Sequence, residues 1–101
     1  MITIRAKIIL HENRGRTTAI KNGYRPQFNF VSESKKSGAI NLINRDYLDV
    51  GNQSEVFIHF TSADYLGSDF SIGKKFTFDE GSVAIGEGEI LEILEHRFNS
   101  K

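Results

Sequence analysis

Cysteine is absent from all 101 residues, so neither a disulfide nor a thiolate-bound metal can hold this fold together. Histidine is scarce: His11, His59 and His96 lie too far apart along the chain for a local zinc motif. No apolar run approaches the roughly 20 residues that a membrane-spanning helix needs. The opening MITIRAKIIL interleaves Arg5 and Lys7 with isoleucines, as a strand does and a signal peptide does not. The expected setting is cytoplasmic, with no membrane partner. Net charge is missing as well, 13 basic residues balancing 13 acidic ones, and this argues against a partner gripped through bulk charge. Proline occurs once, at Pro26.

What is present fits one globular domain spanning residues 1–101. A chain of this size buries roughly two-thirds of its unfolded surface and can build a core without covalent staples. Hydrophobic residues make up 39% and charged residues 26%, an ordinary globular balance. Charge is nonetheless uneven along the chain. Residues 1–50 hold nine Lys and Arg against four Asp and Glu, a balance of +5, and residues 51–101 reverse those counts to −5. Interleaved strands would mix these halves into a neutral surface; segregated ones would create a basic face able to meet phosphate. The mixed surface is the expectation.

Period-2 alternation dominates the chain. Ile2, Ile4, Ala6, Ile8 and Leu10 fall on one face of a first strand, with Thr3, Arg5 and Lys7 opposite. Further strands are expected over Gln27–Ser32, Ala39–Ile43, Glu55–Phe60, Lys75–Phe78 and Val83–Leu94. Turn residues separate them at Asn13–Gly15, Asn22–Gly23, Ser34–Gly38, Val50–Asn52, Gly67–Gly73 and Asp79–Ser82. Ile2, Ile4, Ile8, Phe28, Phe30, Ile40, Phe57, Phe76, Phe78 and Ile85 are the expected core. EILEILEHRF reads equally as a strand or a helix, and Asp46–Val50 is too short for either. Short strands with regular turns indicate an all-β antiparallel sandwich or barrel.

Sequence motifs for catalysis are weak. GSDFSIGKK, Gly67 to Lys75, places five residues between its glycines where a phosphate-binding loop has four, and Lys75 stands where that loop needs Ser or Thr. No helix signal follows, so no nucleotide is expected. Gly86-Glu87-Gly88 lacks the third glycine of a dinucleotide fingerprint and reads as a bulge or tight barrel bend. The carboxylates of Asp79–Glu80 and of Glu87, Glu89, Glu92 and Glu95 read as solvated residues in a turn and on an outer strand face, not as a converging acid–base pair. The reading is non-enzymatic, with no cofactor and no metal.

Two stretches rise above composition. GRTTAIKNGYRPQFNF, Gly15 to Phe30, carries Arg16, Lys21 and Arg25, interleaves them with Tyr24, Phe28 and Phe30, and holds no acidic residue. FTFDEGSVAIGEGEILEIL closes the chain's strand pattern. Together they resemble the start and end of the C-terminal β-barrel, domain III, of the translation elongation factor Tu family. Gly23-Tyr24-Arg25-Pro26-Gln27-Phe28, followed by Phe30, matches that family without a gap, and Gly15-Arg16 and Thr18 match upstream. Gly38, Ile40 and Gly51 fit the intervening strands; Glu80-Gly81 and Gly86-x-Gly88 fit the closing hairpin. The resemblance covers roughly residues 5–94, leaving 95–101 as a short polar tail. The sequence departs from the family at Val50, where proline is usual, at Thr17, where histidine is usual, and in a longer Phe60–Gly73 loop.

The resemblance implies a closed six-stranded antiparallel barrel. It also implies contacts to the T-stem backbone of a tRNA through Gln27, Arg16, Glu80 and Gly81, with a threonine contact falling near Lys36 or Ser37. Amides and arginines position such a backbone without reading bases, and A-form stems are recognised by shape and hydroxyls. The Gly-Tyr-Arg-Pro-Gln-Phe run further lines the family's contact with its GTPase domain, which makes Arg25 and Gln27 candidates for protein docking. The chain looks like a free-standing version of the barrel, lacking the GTPase domain and the barrel that grips the aminoacyl end. The preferred expectation is a binding module for a protein partner, a GTPase or another translation component, through Arg16, Arg25, Gln27, Lys36, Glu80 and Gly81. The alternative is an RNA-binding accessory in which Arg14, Arg16, Lys21, Arg25 and Lys36 form one exposed face. A small hydrolase with the Phe60–Gly73 loop as a lid ranks third.

Overall fold

The computed structural model describes residues 2–12, 18–31, 34–60 and 70–95, with every one of its regular elements a strand. These are β1 (Ile2–Leu10), β2 (Ile20–Lys21), β3 (Gln27–Val31), β4 (Ser34–Leu42), β5 (Tyr47–Leu48), β6 (Gln53–Phe60), β7 (Lys75–Glu80) and β8 (Val83–Glu95). Six of them close into a barrel in the order β1-β6-β4-β3-β7-β8, and β2 and β5 form a separate two-stranded sheet. All barrel pairings are antiparallel, including the closing pair of β1 with β8, which runs from Ile2 opposite Glu95 to Leu10 opposite Gly86. The expected all-β, six-stranded closed barrel is therefore the observed fold. Among the described residues no helix is long and apolar enough to cross a membrane.

Alternation explains which face is inside. Ile4, Ala6, Ile8 and Leu10 of β1, and Val56, Ile58 and Phe60 of β6, are buried; Lys7 and Glu55 between them are exposed. Five phenylalanines fill the barrel: Phe28, Phe30, Phe60, Phe76 and Phe78. Phe28 lies at their centre, its ring centroid 5.4 Å from Phe60 and 5.8 Å from both Phe76 and Phe78.

Such large rings fit because glycines face them. Gly86 lies opposite Phe78, Gly88 opposite Phe76 and Gly38 opposite Phe60. A Cβ added at Gly86 would meet the Phe78 ring and would lie 2.7 Å from the backbone oxygen of Ile9. Gly86-x-Gly88 is thus a seat for two aromatic rings. It adjoins a ladder irregularity at Phe78/Asp79, and a second irregularity sits at Arg5/Ala6 against β8.

Three expectations are corrected. Ser34–Gly38 is not a turn: β4 begins at Ser34, because Gln27, Phe28 and Asn29 pair with Ser37, Lys36 and Lys35. Phe57 is only half-buried, since Val56, Ile58 and Phe60 hold the inward parity of β6. Ile2 is likewise partly buried, packed against the core from the end of β1. Two ambiguous segments resolve as strand. EILEILEHRF continues β8 from Glu89 to Glu95, and the short 46–50 segment contains β5.

The β7–β8 hairpin closes with Glu80 opposite Val83, leaving Gly81 and Ser82 as its loop. Gly81 has φ +65° and Ser82 does not share the left-handed region, the pattern of a type II′ turn with glycine first. Gly81→Val is expected to destabilise the protein by more than about 1 kcal/mol, whereas Gly81→Asn, which tolerates positive φ, should cost less. Thermal melts of the two variants check this; equal melting temperatures for Val and wild type would refute it.

Candidate partner-binding surface

The Gly-Tyr-Arg-Pro-Gln-Phe run follows β4 before it becomes β3. Gly23 N–H donates to the Ile40 carbonyl at 2.8 Å, and Ile40 N–H donates to the Tyr24 carbonyl at 2.9 Å. Leu42 N–H donates to the side-chain Oδ1 of Asn22. Tyr24 and Ile40 thereby form a bridge beyond the last β3–β4 pair. From Tyr24 onward the faces alternate: Arg25 and Gln27 are exposed, while Pro26 and Phe28 are buried. Burial of Pro26 just ahead of β3 suits a residue that has no N–H to offer a ladder.

The closing hairpin meets this run. Gln27 pairs with Asp79 on one side and Ser37 on the other. The Tyr24 hydroxyl donates to the Glu80 carboxylate across 56 positions of sequence. Tyr24 also packs on the core, so its ring is anchored at one end and its hydroxyl at the other. Arg25, Gln27, Glu80 and Gly81 are all exposed, and the β3–β7 pairing and the Tyr24–Glu80 bond bring together the two segments that carry them.

One of the sequence candidates is placed differently. Lys36 shares the parity of Gly38, Ile40 and Leu42, lies opposite Phe28 and is half-buried. It points to the other face of the sheet from Gln27. Arg16, like Arg14, lies outside the described residues. Lys21 is exposed on β2, opposite exposed Tyr47 of β5. Lys21 and Tyr24 also line an open depression, together with Thr18, Ala19, Asn22 and Gly23.

Four features escape sequence reasoning. The Tyr24–Glu80 bond has no local signal, because the pairing of β3 with β7 brings the two together. Asp79, by sequence a solvated turn residue, is 6% exposed, drawn in by the ladder irregularity that follows Phe78. Tyr47 and Val83 are exposed apolar residues, 55% and 43% accessible, at positions where no period marks them as partners of a surface.

Electrostatically the barrel mixes its halves. β1, from the basic half, lies between β6 and β8 of the acidic half. Arg5 contacts Glu55 at 2.8 Å and Glu92 at 3.1 Å, and its guanidinium is held above its ordinary pKa first by the hydrogen bond to Glu92, then by that to Glu55. Glu89 lies opposite both Lys7 and Lys75, and His11 Nε2 is 2.9 Å from Glu87. Opposite charges on adjacent strands are the favourable cross-strand arrangement. This is the mixed surface expected from composition, and it leaves no uniformly basic wall among these strands.

A polar line crosses three strands elsewhere. Thr3 Oγ1 is 2.8 Å from His59 Nδ1, and His59 Nε2 is 3.0 Å from Asn41 Nδ2. An amide nitrogen can only donate, so in this arrangement Nε2 accepts and Nδ1 donates to Thr3. Thr3 is 2% exposed, which keeps its hydroxyl from any substrate. The line ties β1, β6 and β4 together. Among the described residues no group of three His, Cys, Asp or Glu side chains could hold a metal. Compared with protein-family profiles, the sequence matches none.

Proposed function

We propose that this domain is a non-enzymatic cytoplasmic binding module that docks on a protein partner through the surface formed by Arg25, Gln27, Glu80 and Gly81. The observation that carries this reading is the Tyr24–Glu80 hydrogen bond. It fixes a carboxylate amid the candidate contacts, at the residue that precedes Arg25 and beside Asp79. A protein surface offers groups of both signs to such a platform. A phosphate backbone offers one sign, and Glu80 would repel it unless it accepted from a 2′-hydroxyl. The inward parity of Lys36 removes a further cation from the face an RNA would use. Exposed Val83, opposite Glu80 in the closing hairpin, adds the apolar area that protein interfaces use and nucleic-acid interfaces use less. The resemblance to elongation factor Tu domain III suggests the class of partner: a translation-factor surface, with a GTPase domain the first candidate.

The test uses nuclease-treated native lysate and immobilised wild type beside Arg25→Glu and Gln27→Ala. Wild type should retain a defined protein in stoichiometric amount, and Arg25→Glu should reduce its capture at least about tenfold, as loss of a central interface arginine does. A labelled tRNA titrated at two salt concentrations should show no saturation. Saturable tRNA binding that weakens steeply with salt, with no protein dependent on Arg25, would replace this reading with the RNA one.

A further inference from the structure

Asn22–Gly23 is the only Asn-Gly dipeptide in the sequence. Asparagine followed by glycine is chemically labile, because glycine has no Cβ to obstruct attack of its nitrogen on the asparagine side chain. Both residues are exposed, Gly23 has φ +89°, and nothing lies within 4 Å of the position its Cβ would occupy. Water has free access to the turn. Yet both reacting groups are engaged with β4: the Gly23 N–H with the Ile40 carbonyl at 2.8 Å, and the Asn22 Oδ1 with the Leu42 N–H.

We propose that Asn22–Gly23 is a deamidation site held shut by these two hydrogen bonds, and that its isoaspartyl product detaches the Asn22–Tyr24 turn from β4. In the reaction the Gly23 nitrogen attacks Asn22 Cγ, a new C–N bond closes a succinimide, and the side-chain nitrogen leaves as ammonia with the proton that Gly23 gives up. Water then opens the ring. Attack at Cγ breaks the new bond and yields aspartate. Attack at the Asn22 main-chain carbonyl carbon breaks the original peptide bond and yields isoaspartate, with Gly23 now joined through Cγ.

Ring closure cannot begin while Gly23 N–H points at Ile40 and the Asn22 amide is fixed by Leu42. It requires local opening of the turn, and its rate follows the population of the open form. The two products then differ in consequence. Aspartate keeps an oxygen where Leu42 N–H finds its acceptor. Isoaspartate adds a methylene to the main chain and cannot satisfy Leu42 N–H and the Ile40 carbonyl at once. The turn comes away from β4, and Tyr24, which follows it directly, loses its alignment with Ile40.

The experiment incubates the whole chain at mildly alkaline pH in buffer and, in parallel, in concentrated urea. Peptide mapping counts aspartyl and isoaspartyl forms at position 22, and hydrogen exchange follows the Gly23 and Leu42 amides. Modification should be about tenfold or more slower in buffer, the factor expected when two ordinary hydrogen bonds must break first. In the isoaspartyl fraction both amides should exchange faster. Asn22→Asp should leave Leu42 exchange as in wild type, which separates the rerouted backbone from the new charge. Equal rates in buffer and urea, absence of modification in urea, or unchanged exchange in the isoaspartyl fraction would each overturn the proposal.

Discussion

Phe28→Ala should lower the free energy of unfolding by about 3–5 kcal/mol, the range for deleting a fully buried aromatic side chain. That is a large share of the roughly 5–15 kcal/mol that holds a domain folded. The expectation rests on position. Phe28 has no exposed surface, and its ring is edge-on to Phe60 at 5.4 Å and to Phe76 at 5.8 Å, tilted against Phe78 at 5.8 Å and stacked with Phe30 at 6.3 Å. These partners belong to β3, β6 and β7, so a ring that moved in to fill the void would have to leave contacts on its own strand's side. Phe28→Leu keeps most of the volume and should cost less than half as much. Urea titration of both variants, with unchanged slope, is the measurement. A loss below about 1.5 kcal/mol for the alanine variant would show that the core collapses around the site, the less costly end of such series.

The second large effect comes from adding an atom instead of removing a ring. Gly86→Ala is expected to destabilise by about 3 kcal/mol, the upper part of the range for overpacking. The new methyl would press on the Phe78 ring, which has room to turn only at the expense of its other contacts. It would also stand 2.7 Å from the Ile9 carbonyl oxygen, which belongs to the β1–β8 ladder and cannot yield without breaking the barrel's closing seam. Phe78→Leu introduced beside Gly86→Ala separates these causes, since contacting residues show their coupling in a double-mutant cycle. Partial recovery is expected, because the carbonyl remains. Full recovery would assign the whole effect to the ring, and an unaltered melting temperature for Gly86→Ala alone would mean that the strands spread freely.

These two residues also mark what the sequence can and cannot disclose. The inward parity of Phe28 follows from Phe28 and Phe30 flanking polar Asn29, and the alternation in β1 and β7 is equally plain. Gly86 is recognisable as unusual, but not as the seat of Phe78. That role depends on a register between strands, which no local pattern encodes. Register also explains the misreadings. Ser-Lys-Lys-Ser-Gly looks like a turn by composition, yet Ser34 to Gly38 is strand because Ser34–Ser37 pair with β3 and Gly38 pairs with Phe60 of β6. Phe57 looks like core by type, and loses to three apolar residues of the other parity.

The candidate surface divides the same way. The left-handed glycine in the Glu-Gly-Ser turn is legible because the turn chemistry is local. The exposure of Arg25 and Gln27 follows from alternation around Pro26 and Phe28. That Lys36 stands opposite Phe28, on the face away from Gln27, is hidden by the turn misreading, which assigns it no face at all. The bond from Tyr24 to Glu80 is beyond local reach, because it forms only once β3 has paired with β7.

The seam between β1 and β8 has one more consequence, for how the chain reaches this structure. Ile2 is paired with Glu95 and Leu10 with Gly86, so the ladder that shuts the barrel joins segments with nearly the whole chain between them. Loop closure over such a span must be met before those contacts return any stabilisation. A chain whose other strands are in place while β8 is still loose has two raw edges, on β1 and on β7, and each is a template for another molecule's strand. The final strand therefore does more than complete the core. Pairing it with both β7 and β1 turns two adhesive borders into none, and a chain in which that pairing is incomplete is open to misassembly.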